Sequence, residues 1–333
     1  MELRQFKYFL VIVDSGSLSR AGQILFVAQS ALSKQVADLE IELGAQLLVR
    51  SRNGVVVTDA GKVFYEYAQG ITKQISDARV AVHCSANAMV GSVVAALPQS
   101  VAAPIALPLM RAAAARFPDV SFRLNEELTG NMADQLLRGR VDVAIFTGAM
   151  LPDDVEFTPL VEEDFVLLCS AQDPQAPPAG AVTLAQAIAR PLVWPGQMHG
   201  HGTRAIVEAV LVDAGLTLPV VAAEINSVHI LKSAIQAGLG ATIMPYALAQ
   251  REIEEGRLTA HAIDCDRMFR TLGVCTSRHV PATNAKRAIC RLVADVFREL
   301  CDSGRWPGAR PVAAVAETTG ADDTGKAVAF GRA

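Results

Sequence analysis

The sequence predicts two architectures in one chain: an N-terminal all-α winged helix-turn-helix with a long linker helix, and a C-terminal α/β domain of two lobes. Three observations lead to this prediction. Two short amphipathic helices precede an Asn-Gly turn, a helical heptad repeat follows the turn, and from residue 91 onward short apolar strands alternate with helices. A chain of 333 residues is also too long for one small domain.

The first part of the chain contains the helix pair. A helix over residues 3–13 presents an apolar face, Ser17 is placed to cap the next helix, and small or apolar residues recur at helical spacing over residues 18–25. The helix that follows, over residues 29–43, leaves polar side chains pointing outward near its start. Such side chains are typical of a recognition helix in the major groove of DNA. The alternative is an ordinary helical hairpin with a solvated face.

The segment after the helix pair has the pattern of a wing. Arg50 and Arg52 lie two residues apart, so both guanidinium groups share one face of a predicted strand before the Asn53-Gly54 turn. They could contact phosphates or the minor groove. Net charge does not indicate DNA binding, since residues 1–60 contain six basic and six acidic residues. The candidate DNA-binding residues are Ser17, Arg20, Gln29, Ser30, Ser33, Lys34, Gln35, Arg50, Arg52 and Thr58.

A long helix is predicted after the wing, with Thr58 as its N-cap. Apolar residues recur there at alternating spacings of four and three, which indicates a heptad seam that needs a partner helix. A dimer explains the seam, because DNA-binding dimers read paired half-sites. Packing against the chain's own domain is the alternative. The candidate dimerisation residues are Phe64, Ala68, Ile71, Ile75, Ala78 and Val82.

Polar residues follow several predicted strands of the α/β part and precede helices. Open parallel sheets bind ligands beyond the carboxyl ends of their strands, where helix N-termini offer free N–H groups. These residues therefore predict a site for a small anionic or polar effector, with ordinary helix capping as the alternative role for each. The candidate effector-binding residues are Ser100, Val101, Thr129, Gly130, Thr147, His201, Thr203 and Ser227.

Four segments resemble one family, the LysR-type transcriptional regulators: MELRQFKYFL, SGSLSRAGQIL, VAQSALSKQVADLEIELGAQLLVRS and VTDAG. The resemblance implies that a helix-turn-helix near residues 18–37 reads an operator and that a periplasmic-binding-protein-like domain senses a small molecule between its lobes. It also implies hinges near Glu162 and Cys265. Gly22 departs from the family, which usually carries Ala there. The segments WPGQMHGHGTR and EINSVHILKSAIQAGLGATIMP are similar to the branch that includes nitrogen-assimilation-control regulators.

Domain boundaries follow from these patterns and from the resemblance. The tail is rich in Ala, Gly, Thr and Pro and is expected to be disordered or loosely attached. The predicted units are a DNA-binding domain over residues 1–58, a linker and dimerisation helix over 59–89, an effector-binding domain over 91–302 and a tail over 303–333. Within the effector-binding domain, lobe I comprises about 91–162 and 268–302, and lobe II about 163–267.

Composition and motifs exclude several other classes. The chain has 30 basic and 34 acidic residues and no apolar run long enough to span a membrane, which predicts a cytoplasmic protein. Six cysteines without CxxC spacing, and a lone His199/His201 pair, predict neither a metal site nor a disulfide framework. No GxSxG, P-loop or HExxH motif is present, so neither an enzyme nor a cofactor is expected.

The leading hypothesis is a ligand-responsive DNA-binding regulator. Its expected partners are double-stranded DNA, a small-molecule effector, further copies of the chain in a homodimer or homotetramer, and RNA polymerase if it activates transcription. The alternative is a solute-binding protein of the same two-lobed architecture. That class would need an export signal and no winged module, and the sequence opposes it on both counts.

Overall fold

The computed structural model describes residues 1–51, 54–83, 88–127, 129–148, 151–178, 180–196 and 202–312. The N-terminal module consists of three helices and a two-stranded wing. Its elements are α1 (Leu3–Ser15), α2 (Leu18–Leu25), α3 (Gln29–Leu43), β1 (Leu48–Ser51) and β2 (Gly54–Val57). The core beneath the helix pair is formed by fully buried side chains such as Phe9, Ile12, Leu32 and Leu39.

The turn between α2 and α3 explains the departure at Gly22. A Cβ atom at this position would lie 2.7 Å from the main-chain oxygen of Val27. That distance is shorter than any ordinary contact, so the turn closes against the glycine. The Gly22 carbonyl accepts a hydrogen bond from the Val27 N–H at 3.0 Å. Gly22 therefore serves close packing of the turn at the expense of helix propensity.

Hydrogen bonds connect the wing to both ends of the α2–α3 pair. β1 and β2 pair antiparallel. A carboxylate oxygen of Glu40 accepts the main-chain N–H groups of Leu47 and Leu48 at 2.7 and 3.0 Å, and the N–H of Val55 donates to the Gly16 carbonyl at 2.9 Å. The predicted wing is thus present, although Arg52 and Asn53 at its tip lie outside the described residues.

The linker helix α4 spans Asp59–His83. Its first turns belong to the N-terminal module, because the Phe64 ring lies 5.3 Å from that of Phe6 and 5.1 Å from that of Phe9. The prediction that Phe64 and Ala68 lie on an open dimer seam was wrong: Phe64 packs in the module's own core and Ala68 has no exposed surface. The second half of the predicted seam is open, since Ile71 is 37% and Val82 is 81% exposed.

The α4 helix also docks on the C-terminal domain. A Cβ atom at Gly70 would lie 2.0 Å from the main-chain oxygen of Arg138, so helix and domain are in direct backbone contact. One turn further on, a cluster of two cations and two carboxylates is buried at the contact. Its ion pairs are Lys73 with Asp77 at 3.0 Å and with Asp142 at 2.6 Å, and Lys286 with both carboxylates at 2.8 Å.

The C-terminal domain contains eleven strands and seven helices within the described residues. The strands are β3 (Gly91–Leu97), β4 (Val120–Glu126), β5 (Val143–Thr147), β6 (Val155–Ser170), β7 (Val182–Thr183), β8 (Leu192–Pro195), β9 (Val221–Ile225), β10 (Thr242–Pro245), β11 (Leu258–Asp264), β12 (Phe269–Ser277) and β13 (Ala309–Pro311). The helices are α5 (Gln99–Arg116), α6 (Thr129–Leu137), α7 (Leu184–Ile188), α8 (Thr203–Asp213), α9 (Val228–Gln236), α10 (Gln250–Glu254) and α11 (Asn284–Asp302).

One long strand, β6, connects the two lobes. Its first half pairs antiparallel with β12 and β13 in lobe I, and its second half pairs antiparallel with β10 and β11 in lobe II. The strands β3, β4 and β5 are parallel, as the sequence predicted, but the sheet as a whole is mixed. Strand β12 returns the chain to lobe I, where it pairs antiparallel with β5.

Two proline residues do not interrupt α5. The sequence left the start of this helix open because Pro104 and Pro108 fall within it. The structure has one continuous helix from Gln99, with Val101, Ile105 and Leu109 fully buried against the sheet of lobe I. Burial of this apolar face outweighs the hydrogen bonds that the prolines cannot donate.

The tail is not loose from residue 303, so that expectation was wrong for its first ten residues. Trp306 is 1% exposed and packs edge-on against Phe297 at 5.0 Å. Its Nε1–H donates to Glu163 Oε1 at 2.7 Å, and β13 pairs with β6 just beyond it. One buried tryptophan thus anchors a segment whose average composition indicated disorder. Residues 313–333 lie outside the described residues.

No helix in the described part of the chain has the length and apolarity needed to cross a membrane. No group of three or more His, Cys, Asp or Glu side chains there is arranged to hold a metal ion.

Replacing Trp306 with Ala is expected to destabilise the C-terminal domain by about 3–5 kcal/mol, because it leaves a cavity and removes a donor from the buried carboxylate of Glu163. Trp306→Phe keeps an aromatic ring and should lose less. Urea unfolding followed by circular dichroism measures both, with Arg305→Ala as the exposed control. An unchanged midpoint for Trp306→Ala would show that the segment contributes nothing to stability.

Candidate DNA-binding surface and effector cleft

Exposed polar groups at the start of α3 form the candidate DNA-reading surface. Gln29, Ser30 and Lys34 are exposed there. The Ser19 hydroxyl donates to Gln29 Oε1 at 2.9 Å, which orients the Gln29 amide. The Arg50 guanidinium of the wing donates to the Ser33 hydroxyl. The recognition helix is therefore connected by side-chain hydrogen bonds to the helix before it and to the wing after it.

At the start of α2, Ser17 is the predicted N-cap, and its hydroxyl accepts a hydrogen bond from the Arg20 N–H at 3.4 Å. The side chain of Arg20 is exposed. The polar groups of two other residues predicted to contact DNA are used or buried within the protein. The Thr58 hydroxyl caps α4: it accepts the Gly61 N–H at 2.9 Å and donates to the Gln46 carbonyl at 2.6 Å. The side-chain oxygen of Gln35 is buried and faces away from solvent. Arg52 lies outside the described residues.

A cavity of about 340 Å³ lies between the two lobes. Three of the predicted effector-binding residues line it: Ser100 and Thr147 from lobe I and Thr203 from lobe II. Thr147 is 6% exposed, and its hydroxyl oxygen has no hydrogen-bond partner in the described structure. A buried hydroxyl without a partner on a cavity wall is a ready contact for a ligand.

The other residues predicted to bind the effector are not found on the described cavity wall. Val101 packs in the core of lobe I, Gly130 is exposed away from the cavity wall, and the Ser227 hydroxyl caps α9 by accepting the Ile230 N–H at 3.4 Å. The expectations for Val101, Gly130 and Ser227 are therefore not met. Thr129 begins α6, but its side chain, like the whole of His201, lies outside the described part of the structure.

Sequence reasoning missed the arginine at the base of the cavity. Arg270, 4% exposed on β12, donates to the Ser100 hydroxyl at 2.9 Å and to the Ser100 carbonyl at 3.1 Å. Glu163 on β6, with no exposed surface, pairs with the same guanidinium at 2.7 Å. Because Glu163 neutralises it, Arg270 holds Ser100 in place and adds no net charge to the cavity.

A hydrogen bond crosses the cavity from lobe to lobe. Gln99 Oε1, at the start of α5, accepts the main-chain N–H of Val228 at the start of α9 at 3.1 Å. The first N–H groups of a helix have no partner within the helix, so Gln99 satisfies one of them from the opposite lobe. In the sequence, the only signal for Gln99 is its position between a strand and a helix, because its partner Val228 is 129 positions away.

The other polar groups on the cavity wall are Glu126, Glu127, Asn131 and Asn226. The two glutamates lie at the end of β4, which is the same signal that pointed to Ser100 and Thr203. Neither glutamate has an ion-pair partner within the described residues. The wall therefore combines neutral hydrogen-bonding groups, two carboxylates and one neutralised guanidinium.

The cysteines of the described segments are free thiols. None of them is in a disulfide. Burial raises the pKa of the Cys275 thiol to about 12 and that of Cys290 to about 11, so both remain protonated at neutral pH. The reactive form of cysteine is the thiolate, so these thiols are chemically inert in the folded protein.

Two family models match the chain. A bacterial regulatory helix-turn-helix protein of the lysR family matches residues 3–62, and a LysR substrate binding domain matches residues 86–298. The chain is 35% identical to the nitrogen assimilation regulatory protein nac of Escherichia coli (strain K12) over 252 residues, which are 75% of this chain and 80% of that protein. The uncharacterized HTH-type transcriptional regulator YeiE of the same organism is 27% identical over 313 residues, 92% of this chain and 98% of that protein.

Solved structures share the fold. Full-length CbnR complexed with its target DNA covers 90% of this chain and 99% of its own, with a TM-score of 0.66 and 21% identity. A full-length variant of OxyR from Pseudomonas aeruginosa has a TM-score of 0.65 at 21% identity, over 90% of this chain and 95% of its own. The predicted combination of a winged module and a two-lobed domain is confirmed. The chain belongs to the lysR family and is a DNA-binding transcriptional regulator with an effector-binding domain, not an enzyme.

Proposed function

We propose that this regulator binds paired half-sites on double-stranded DNA as a homodimer or homotetramer, and that a small effector between its lobes changes the spacing of the DNA-reading helices. The observation that carries the proposal is the buried contact between α4 and lobe I. Lys73 and Asp77 of the linker helix are ion-paired with Lys286 and Asp142 of that lobe. A movement of lobe I therefore moves the helix on which the DNA-binding module is mounted.

The proposed DNA contacts are the exposed residues at the start of α3, together with Arg20 and Arg50. Gln29 has an amide suited to adenine, and Lys34 has an ammonium suited to the acceptors of guanine. The module has no net charge over residues 1–60, so phosphate attraction alone gives weak binding. Two copies on one operator are therefore needed for tight and selective binding.

The proposed dimer contact uses the open side of α4. Ile71, Ile75, Ala78 and Val82 from the predicted seam continue a stripe that begins with Val63 and Tyr67, which are 54% and 50% exposed. A helix with such a stripe is stabilised by a partner that covers it. We infer that a second copy of α4 does so in the cytoplasm, where the DNA lies, and that the assembly contacts RNA polymerase if it activates transcription.

The effector is proposed to be a small polar molecule with a cationic group. Ser100, Thr147 and Thr203 supply hydroxyls for an acceptor or a carboxylate, while Glu126 and Glu127 favour an amine. The expectation of an anionic effector stays a prediction; the charges of the described wall support a zwitterion better than a dianion. Binding must favour one lobe arrangement over the other if it is to act as a switch.

The test is selection of DNA fragments bound by the full chain from sheared genomic DNA, followed by footprinting with and without small acids, amines and amino acids. A paired footprint with two-fold symmetry that shortens or shifts with one ligand supports the proposal. A protein that binds a ligand but gives no selective footprint at moderate salt would favour the solute-binding alternative.

Lys34→Ala is expected to weaken binding to the selected fragment about 5- to 150-fold, because a base contact is worth about 1–3 kcal/mol. Binding to a scrambled duplex should change much less. Fluorescence anisotropy measures both affinities, with Lys7→Ala on α1 as a control of equal charge. Equal losses on the two duplexes would make Lys34 a general phosphate contact.

Ile71→Asp is expected to dissociate the assembly, because it places a charge in the proposed apolar contact between linker helices. Light scattering should give the mass of one chain for this variant and the wild-type mass for Ile71→Leu. An Ile71→Asp protein with the wild-type mass would refute the role of α4 in dimerisation.

Thr147→Val is expected to leave the unfolding midpoint equal or higher, since it removes a buried hydroxyl without a partner. It should nevertheless reduce the response of the footprint to effector about 5- to 10-fold, the contribution of one hydrogen bond. Thr242→Val is a matched control, because its hydroxyl is also buried and unpartnered but does not line the cavity. Equal effector responses in the two variants would remove Thr147 from the site.

A further inference from the structure

Phe26, between α2 and α3, combines two properties that are unfavourable for folding. Its side chain is 96% exposed. Its backbone has φ 55° and ψ 41°, and within the described residues it is the one non-glycine residue at positive φ. A bulky side chain in this left-handed conformation is strained, and glycine or asparagine would adopt it more easily.

The turn itself requires this conformation. The N–H groups of both Phe26 and Val27 donate to the Gly22 carbonyl, which ends α2 and reverses the chain. Val27 then packs against the core of the module, while Phe26 is left outside it. The backbone geometry is therefore set by the helix pair, but nothing in the pair calls for a phenyl ring at this position.

The position of the ring relative to α3 indicates what covers it. Phe26 lies three residues before Gln29, next to the end of α3 where Gln29 and Ser30 are exposed. Ser19, which orients the Gln29 amide, is also exposed on this side of the turn. The exposed ring thus directly precedes, along the chain, the residues proposed to read bases. Another exposed apolar residue of the helix, Ile41 at 80%, lies about three turns further along.

We propose that Phe26 is a positioning residue for DNA, whose ring packs against the apolar edge of the duplex beside the bases read by the start of α3. Phenyl rings make apolar contacts with thymine methyl groups, and the deoxyribose carbons offer a similar surface. The ring is then buried in the complex, and the register of α3 in the groove is fixed from its N-terminal side. This inference rests on the proposed function, because it requires α3 to be the reading helix.

The experiment compares Phe26→Asn and Phe26→Gly with the wild-type chain. Relief of the strained backbone should leave the thermal unfolding midpoint equal or higher. Affinity for the fragment selected from sheared genomic DNA should nevertheless fall about 5- to 50-fold, in line with the apolar surface of one ring. Phe26→Tyr keeps the ring and should keep most of the affinity. Ile41→Asn is the matched control and should bind as the wild type does.

Three results would overturn the inference. The first is wild-type affinity of Phe26→Asn for a fragment on which the wild-type chain gives a clear footprint. The second is a parallel fall in affinity and unfolding midpoint, which would make the ring part of the fold. The third is a change of mass in solution without DNA, which would mean that a second copy covers the ring. A wild-type chain with no selective footprint would instead refute the proposed function, and this inference with it.

Discussion

The buried ion cluster between α4 and lobe I is the interaction on which the arrangement of the chain depends. Asp142 has no exposed side-chain surface, and besides Lys73 and Lys286 it accepts the Val94 N–H at 2.8 Å, which ties the cluster to the first strand of the sheet. Burial alone would lower the pKa of Lys286, but the carboxylates of Asp142 and Asp77 outweigh it and raise that pKa. Two cations and two carboxylates balance, so the cluster is stable only when it is complete.

A second buried carboxylate organises the sensor. Glu163 lies midway along β6, the strand that belongs to both lobes, and it binds Arg270 of the returning strand and Trp306 of the C-terminal segment. Arg270 in turn holds Ser100 at the start of α5. The cavity wall, the connection between lobes and the segment that leads into β13 thus share one charged group. Ser100, which lines the cavity, is thus connected to Glu163 through the single side chain of Arg270.

The sequence predicted those features that depend on neighbouring residues. Helix periodicity located α2 and α3, and the cap at Ser17 is present as expected. Predictions failed where the decisive partner is distant: Phe64 belongs to the core because it packs against Phe6 and Phe9, more than 50 residues earlier in the chain. Arg270 carried no local signal, since its carboxylate partner is 107 residues away. The ordered position of Trp306 was not predicted, because the Ala-, Gly-, Thr- and Pro-rich composition around it indicated disorder.

The return of the chain to lobe I has a consequence for biosynthesis. The core of the DNA-binding module is formed by residues 6–65, all of which leave the ribosome before any strand of the sensor. Lobe I, in contrast, is built from distant parts of the chain. Its sheet contains β3, near the start of the lobe, and β13, more than 200 residues later. Nascent chains therefore contain every core residue of the DNA-reading module before the sheet of the sensor is complete. The sensor is complete only after Trp306 has been synthesised and its indole N–H can donate to Glu163.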